Sequence, residues 1–91
     1  MTSETGVTLR FWAAARAATG VSEERMPLAG PVSLAELVAA VLEAHPGERT
    51  ASVIGVCSVL VDDQPVASLD PREVFVRPGA RVEFLPPFAG G

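Results

Sequence analysis

Residues 32–45, VSLAELVAAVLEAH, decide the fold class of this chain. Ser33 and Glu36 have the spacing of a capping box, in which each side chain bonds the other residue's backbone N–H at the start of a helix. Apolar residues then recur at the i, i+3, i+4, i+7 and i+8 spacing that forms one stripe along a helix: Leu34, Leu37, Val38, Val41 and Leu42. The pattern predicts a core-facing helix of about three turns that ends before Pro46.

Stretches with the two-residue period of β-strands lie on both sides of this helix. Residues 7–12 and 81–85 alternate apolar with polar side chains and predict the first and last strands. Residues 21–28 predict a weaker strand, and Pro27 places it at a sheet edge because proline cannot donate a ladder hydrogen bond. Residues 53–61 are rich in β-branched side chains and predict a third strand, which ends at a DDQP turn.

The order strand, strand, long helix, strand and strand predicts an α+β fold, with a mixed sheet packed on one main helix. The first two strands pair as an antiparallel hairpin across a short helical segment, residues 13–20, which Gly20 closes. The last strand lies parallel beside the first, so that the long helix is the crossover. This is the β-grasp topology, expected over residues 7–85, between a disordered leader of residues 1–6 and an extended tail of residues 86–91.

Size and composition limit the classes of function. The chain has 91 residues, which permits one small domain and leaves no room for separate nucleotide-binding and substrate domains. All seven basic residues are arginine, against eleven acidic residues and a net charge of −4. This argues against nucleic acid as a partner, because phosphates are bound by basic surfaces. We therefore expect a folded module that takes part in the chemistry of another enzyme.

Cysteine and histidine are too few for a disulfide or a zinc site. Cys57 and His45 are the single residues of their types, whereas structural zinc usually takes a set of such ligands. No metal site is therefore expected, and a reducing cytoplasm fits best. No apolar stretch approaches the roughly 18 residues of a membrane helix, so we expect neither membrane insertion nor export.

The last six residues, PPFAGG, follow the last predicted strand directly. Proline fixes φ at about −65° and favours an extended backbone, so we expect Pro86 and Pro87 to hold the tail away from the domain. Gly90 and Gly91 lack Cβ atoms, which lets the backbone pass through a narrow channel in another protein. The carboxylate of Gly91 is expected to be free at the end of this tail.

The sequence resembles the MoaD/ThiS family of ubiquitin-like sulfur carriers, which are small β-grasp proteins. The similarity extends over residues 7–91 and is carried by three segments: 13–20, 61–66 and 78–91. The last segment, PGARVEFLPPFAGG, is the most specific of the three. Its Pro-Pro-x-x-Gly-Gly ending is most similar to the small subunit of molybdopterin synthase.

The resemblance implies a carrier that is not itself an enzyme, although it would form the small subunit of molybdopterin synthase. An E1-like adenylyltransferase would use ATP to adenylate Gly91, because a free carboxylate is a poor electrophile. A sulfur donor would then convert the acyl-adenylate to a thiocarboxylate. The large subunit of molybdopterin synthase would accept the tail and pass the sulfur to a pterin precursor in molybdenum cofactor biosynthesis. The resemblance also implies no permanently bound cofactor, and tail-threading roles for Pro86, Pro87, Phe88, Ala89 and Gly90.

Three other functions fit the same residues. The same tail chemistry would serve a sulfur carrier for cysteine, thiamine or a sulfur-containing secondary metabolite, since only the docking partners differ. A ubiquitin-like protein modifier would instead join Gly91 to lysines of target proteins, and a plain β-grasp interaction domain would not use Gly91 at all. The chain has no lysine, so an activated Gly91 would find no side-chain amine in its own chain. Arginine-rich codon usage also explains this composition.

Strand alternation also predicts a partner-binding surface. If the apolar side chains of the first strand face the helix, Trp12 faces outward, and Leu85 does so in the last strand. Because these strands are neighbours, the two side chains would form an apolar patch at the root of the tail, and such patches often mark interfaces. Arg16, in the segment that follows, is a candidate to pair with an acidic partner. The alternative is that Trp12 packs as core beneath residues 13–20.

Overall fold

The computed structural model describes residues 6–87 of the chain. Its strands and α-helices, in chain order, are β1 (Gly6–Phe11), α1 (Ala13–Thr19), β2 (Glu23–Pro27), β3 (Val32–Ser33), α2 (Leu34–Ala44), α3 (Glu48–Gly55), β4 (Ser58–Val61), β5 (Gln64–Pro65), β6 (Phe75–Val76) and β7 (Arg81–Leu85). A 3-10 turn, Pro71–Glu73, precedes β6. Gly6 is the first residue of β1, so the strand begins one residue earlier than expected. Residues 1–5 of the expected leader lie outside the described residues.

A five-stranded mixed sheet organises the fold, in the order β2-β1-β7-β4-β5. β1 and β7 pair in parallel at its centre, whereas β1–β2, β4–β7 and β4–β5 pair antiparallel. β3 and β6 form a separate two-stranded antiparallel sheet. The predicted hairpin, the parallel pairing of the first and last strands and the edge position of the strand with Pro27 are confirmed. The fold class is α+β.

Helix α2 begins at the predicted capping box. Ser33 Oγ accepts the backbone N–H of Glu36 at 3.1 Å, and Glu36 Oε1 accepts the backbone N–H of Ser33 at 3.1 Å. On the apolar stripe of the helix, Leu34, Leu37 and Val41 are buried in the core. Loss of such a cap typically costs about 1 kcal/mol, so the box helps to fix where the crossover starts.

The core lies between the inner face of the sheet and α2. Phe11 of β1 and Phe84 of β7 are 1% and 0% exposed, and their rings stack with centroids 5.4 Å apart and planes at 9°. The alternate residues of the same strands, Val7, Leu9 and Val82, are fully buried, as predicted. Burying one such side chain contributes about 1.5–3 kcal/mol, so the two central strands supply much of the stability.

His45 is the C-cap residue of α2 and contacts the sheet. Its backbone N–H donates to Val41 O at 2.9 Å, which completes the last turn of the helix. Its Nε2 lies 2.7 Å from Glu24 Oε1 of β2, and its ring meets Phe11 edge-on at 6.0 Å. The single histidine is therefore a half-buried link between the long helix and the edge hairpin.

The predicted strand over residues 53–61 is wrong in its first part, which forms α3, and only the second part forms β4. Thr50, Val53 and Ile54 have the i, i+3, i+4 spacing that a helix places on one face. Thr50 and Ile54 are buried there, and Thr50 Oγ1 donates to Ala18 O of α1 at 3.5 Å. This packing outweighs the β propensity of the local valine and isoleucine.

We expect Gly6→Ala to destabilise the fold, because a Cβ atom on Gly6 would lie 2.9 Å from the backbone oxygen of Met26 in the paired strand. Backbone atoms cannot move aside as a flexible side chain does. β1 and β2 must therefore separate locally, at a cost of about 1–3 kcal/mol in the free energy of unfolding. Gly55→Ala is the matched control, since a Cβ there meets no described atom of the surrounding structure within 4 Å. Urea unfolding measures both variants, and equal midpoints would contradict the expectation.

Candidate functional site

The side chains that alternate with the buried residues of the sheet form a surface that we call the outer face. Residues paired directly across two strands share a face of the sheet. Arg10 pairs with Glu83, and Glu83 pairs with Leu60 on its other side. The outer face consists of Thr8, Arg10, Glu23, Arg25, Ser58, Leu60, Arg81, Glu83 and Leu85.

Trp12 follows β1 directly and stands at the edge of the outer face. It is 42% exposed, so it is not a core residue beneath α1. Its backbone N–H donates to Phe84 O at 3.2 Å. Phe11 and Phe84 are the last paired residues of β1 and β7, so Trp12 and Leu85 each lie one residue further on. Their backbones are therefore neighbours, the Leu85 side chain is half-buried, and the binding of a partner by these two residues stays a prediction.

Arg16 lies one helical turn after Trp12 and is exposed, and its backbone N–H donates to Trp12 O at 3.3 Å. After β7, Pro86 is half-buried and Pro87 is exposed. The strand before them is paired on both sides, with β1 and with β4, so the root of the tail has a fixed position. The remaining predicted tail residues lie outside the described residues: Phe88, Ala89, Gly90 and Gly91.

Glu83 holds the indole of Trp12. Trp12 Nε1 donates to Glu83 Oε1 at 3.1 Å, and Arg81 Nε lies 3.5 Å from Glu83 Oε2. The Glu83 side chain is only 12% exposed, and hydrogen bonds to a partly buried carboxylate are stronger than those at a fully solvated one. Alternation in the sequence places Glu83 facing outward. No neighbouring residue in the sequence indicates the contact between Glu83 and Trp12, because 71 positions separate the two residues.

Arg10 packs on the same indole. Its Cζ lies 4.9 Å from the centroid of the Trp12 ring, which is a cation–π arrangement. Its Nη1 lies 3.3 Å from Glu23 Oε1 of β2, and its Nε is buried without a hydrogen-bond partner among the described residues. Together with Glu83, Arg10 holds this large aromatic side chain in place.

Asp62 and Asp63 form the turn between β4 and β5, with φ of 49° and 68°. Two such left-handed residues are typical of a tight hairpin turn. Asp62 Oδ1 accepts the backbone N–H of Arg81 at 2.9 Å, and Asp63 Oδ1 accepts from the Arg81 guanidinium at 2.9 Å. The hydrogen bond and the charge of Asp63 raise the pKa of Arg81. The two carboxylates therefore fix the start of β7.

Cys57 lies between α3 and β4 in the wall of a cleft of about 500 Å³. The cleft is lined mainly by apolar side chains of α2, α3, β4 and residues 65–71. The half-buried thiol donates to Val53 O at 3.2 Å. Burial raises the pKa of Cys57 to about 11, so the thiol is protonated at neutral pH and packs as a small apolar side chain.

We expect Cys57 to react slowly with thiol reagents, because the thiolate is the reactive form. A pKa raised from 9.0 to about 11 lowers the thiolate fraction near pH 8 about 100-fold, and the rate should rise about tenfold per pH unit below that pKa. Because the folded pKa is the higher one, the same shift makes the fold lose stability as pH rises from 9.0 towards 11. Reaction with DTNB, with the urea-unfolded chain as control, measures the rate. Equal rates in the folded and unfolded chain would contradict the expectation.

Residues 6–87 offer neither a cluster of metal ligands nor a membrane-spanning helix. In this part of the chain, no group of three or more His, Cys, Asp or Glu side chains could hold a metal ion. Nor does any helix within it have the length and apolar character needed to cross a bilayer.

Several solved structures share this fold. SAMP1 from Haloferax volcanii has a TM-score of 0.77 and 19% identity, covering 94% of this chain and 99% of that one. Urm1 from Trypanosoma brucei has a TM-score of 0.78 and 18% identity, covering 100% of both chains. The complex of subunits 1 and 2 of molybdopterin-converting factor from Helicobacter pylori contains a chain with a TM-score of 0.63 and 23% identity, covering 94% of this chain and 99% of that one. These similarities establish a ubiquitin-like β-grasp fold.

The model of the ThiS family matches residues 9–91. The match covers nearly the whole sequence, and the chain belongs to the ThiS family. It includes the final Gly90 and Gly91. A search of the curated proteins found no match to this sequence. The predicted fold and the predicted membership of the MoaD/ThiS family are both confirmed.

Proposed function

We propose that this protein is a sulfur carrier whose Gly91 carboxylate is adenylated, converted to a thiocarboxylate and used as a sulfur source in molybdopterin biosynthesis. The observation that supports this most strongly is the family match, which continues to Gly91. The position of β7 between β1 and β4 also supports the proposal. A strand paired on both sides gives the tail that follows it a fixed starting point. Six residues span at most about 20 Å, which suffices to reach a nucleotide inside another protein.

The carrier takes part in this chemistry as a substrate. A carboxylate oxygen of Gly91 attacks the α-phosphorus of ATP in an E1-like adenylyltransferase, and pyrophosphate leaves. Sulfide from a donor then attacks the acyl carbon and displaces AMP, which leaves one sulfur in place of one oxygen. The thiocarboxylate stays nucleophilic, and the folded domain delivers it by docking to the accepting enzyme.

The apolar patch of Trp12 and Leu85, with Arg16 beside it, is the proposed contact surface for the partner enzymes. It lies at the root of the tail, so docking there would direct Gly91 into a partner's active site. The Helicobacter pylori complex, which joins subunits 1 and 2 of molybdopterin-converting factor, supports the large subunit of molybdopterin synthase as one such partner. The activating adenylyltransferase is the other.

Intact-mass spectrometry tests the proposal. The protein is incubated with the E1-like adenylyltransferase of the same genome, ATP and sulfide, and a gain of about 16 Da is expected because sulfur replaces oxygen. Omission of ATP is the control and should leave the mass unchanged. An unchanged mass in the complete reaction would contradict the proposal. Sulfur transfer to a cysteine-forming or thiazole-forming enzyme, and not to a pterin precursor, would contradict the molybdopterin assignment alone.

A ubiquitin-like modifier is the second candidate function. Similarity in fold to the small archaeal modifier protein 1 of Haloferax volcanii favours it. The same incubation, extended to a mixture of target proteins, separates the two functions. Lysine-linked adducts on the targets indicate a modifier, whereas a thiocarboxylate without adducts indicates a carrier.

A further inference from the structure

β2 is an edge strand of the five-stranded sheet. It pairs with β1 on one side and comes first in the strand order, so within residues 6–87 no strand pairs with its second edge. We propose that a second copy of the chain pairs with this edge of β2 across a two-fold axis, which joins the two sheets into one. The association is independent of the chemistry of Gly91.

The backbone of β2 directs alternate residues toward β1. Phe11 N–H donates to Ser22 O at 2.9 Å, so Ser22 faces β1. In an antiparallel ladder both backbone groups of a residue lie on one side of the strand, and the side alternates from residue to residue. Glu24 therefore also faces β1. The N–H and C=O groups of Glu23 and Arg25 point away from β1, where a further strand can bond them.

Proline and charge select one register for this pairing. With Glu24 at the two-fold axis, Glu23 of one copy lies opposite Arg25 of the other, and the two residues of each pair exchange both of their N–H···O bonds. With Arg25 at the axis, Glu23 would lie opposite Pro27, which has no N–H to donate. With Glu23 at the axis, each Glu23 would face its own copy, and like charges in that position are unfavourable.

Opposite charges meet in the selected register. Glu23 and Arg25 are exposed. Residues directly opposite on two strands have Cβ atoms about 4.5–5.5 Å apart, so each Glu23 can accept from the Arg25 guanidinium of the other copy. The contact of Glu23 Oε1 with Arg10 Nη1, at 3.3 Å, is retained, since a carboxylate has two oxygens. Charged side chains often protect an exposed edge from pairing, but those of β2 have both signs at complementary positions.

Glu24 limits the strength of the association. It lies opposite its own copy at the axis, where two like charges oppose pairing. Its Oε1 lies 2.7 Å from His45 Nε2, so each carboxylate remains bonded within its own chain. One short strand also buries less surface than the interface of a permanent dimer. We therefore expect a dissociation constant on the order of 100 μM.

The two-fold axis keeps the two tails apart. β7 runs parallel to β1, and β1 runs antiparallel to β2. The β7 strands of two copies joined at β2 therefore run in opposite directions, and the two tail roots lie at opposite ends of the joined sheet. β1 lies between β2 and β7 in each copy, so the association leaves both tail roots uncovered.

Sedimentation velocity of the full chain, from about 10 μM to 1 mM, tests the association. The wild-type protein should pass from monomer to dimer over this range. Arg25→Glu and Glu23→Arg each place like charges opposite one another and should raise the dissociation constant at least about tenfold. An equimolar mixture of the two variants restores opposite charges in both pairs, so it should associate as the wild type does. Each variant is thereby the matched control for the other.

Amide hydrogen exchange of the wild-type protein tests the register. A dissociation constant of about 100 μM leaves about a fifth of the chains monomeric at about 1 mM, against about three fifths at about 50 μM. The N–H groups of Glu23 and Arg25 should therefore exchange about threefold more slowly at the higher concentration. The N–H of Glu24 faces β1 in monomer and dimer alike, so its exchange should not change and is the internal control.

A protein that stays monomeric at about 1 mM would overturn the proposal. A mixture of the variants that associates no better than either alone would do the same, as would exchange at Glu23 and Arg25 that is independent of concentration. These outcomes do not involve Gly91, so the sulfur-carrier function would stand. Thermal unfolding shows whether each variant is folded. The wild-type measurements remain decisive if a variant is not.

Discussion

Deletion of Gly91 is expected to abolish thiocarboxylate formation while the unfolding temperature stays the same. The deletion shortens the tail by one residue, so the terminal carboxylate lies about 3.3–3.6 Å closer to the domain when the tail is extended. Misplacement of a reacting group by about 1 Å can already cost on the order of 100-fold in rate, so the loss should exceed that factor. The fold should be unaffected, because the buried core lies between Val7 and Phe84.

Two controls accompany the deletion. Extension by one glycine after Gly91 moves the carboxylate by the same length in the other direction and should lose activity to a similar extent. Gly55→Ala changes a glycine in α3, far from the tail in sequence, and should retain the wild-type yield. Intact mass after reaction with ATP and sulfide measures all three. A deletion variant that gains about 16 Da at the wild-type rate would show that Gly91 is not the reacting residue.

Phe84→Ala should remove a large part of the stability of the domain. Phe84 is 0% exposed and stacks on Phe11, and its backbone lies between Phe11 and Val59 in the sheet. Truncating a buried phenylalanine typically costs about 3–5 kcal/mol, whereas the total stability of a small domain is about 5–15 kcal/mol. Urea unfolding should therefore show a much lower midpoint.

Phe75→Ala is the matched control, because Phe75 is 59% exposed and its truncation should cost less than about 1 kcal/mol. If both variants unfolded at the same urea concentration, the assignment of Phe84 to the core would be wrong. Phe84 also lies one residue before the end of β7. Thiocarboxylate yield in Phe84→Ala should therefore fall with the folded fraction, whereas Phe75→Ala should keep the wild-type yield.

Elements with local signals in the sequence could be predicted. The capping box and apolar stripe of α2, and the alternation of β1 and β7, do not depend on distant contacts. α3 differs, because Val53 and Ile54 fit a strand as well as a helix. The residue that completes its buried face, Thr50, is polar, and its burial depends on the contact with Ala18 of α1. No neighbouring residue in the sequence indicates that contact.

Some features of the candidate site could likewise be predicted from the sequence, and others could not. The tail can be recognised from residue types alone, since Gly90 and Gly91 follow two prolines and a strand. Trp12 and Leu85 could be placed on one surface from alternation and strand order. The hydrogen bond from Trp12 to Glu83 could not be predicted, because it joins residues 71 positions apart. Only the parallel register of β1 and β7 brings them together.

The last strand of the chain is a central strand of the sheet, which has a consequence for synthesis. β7 fills the space between β1 and β4, and its register joins Thr8 to Arg81 and Phe11 to Phe84. Pairs so distant in sequence slow folding. On the ribosome, β1 and β4 keep unpaired edges until residues 81–85 emerge, and such edges favour aggregation. Closure of the sheet therefore waits for residues 81–85, and a closed sheet and a correctly placed tail root are produced in the same step.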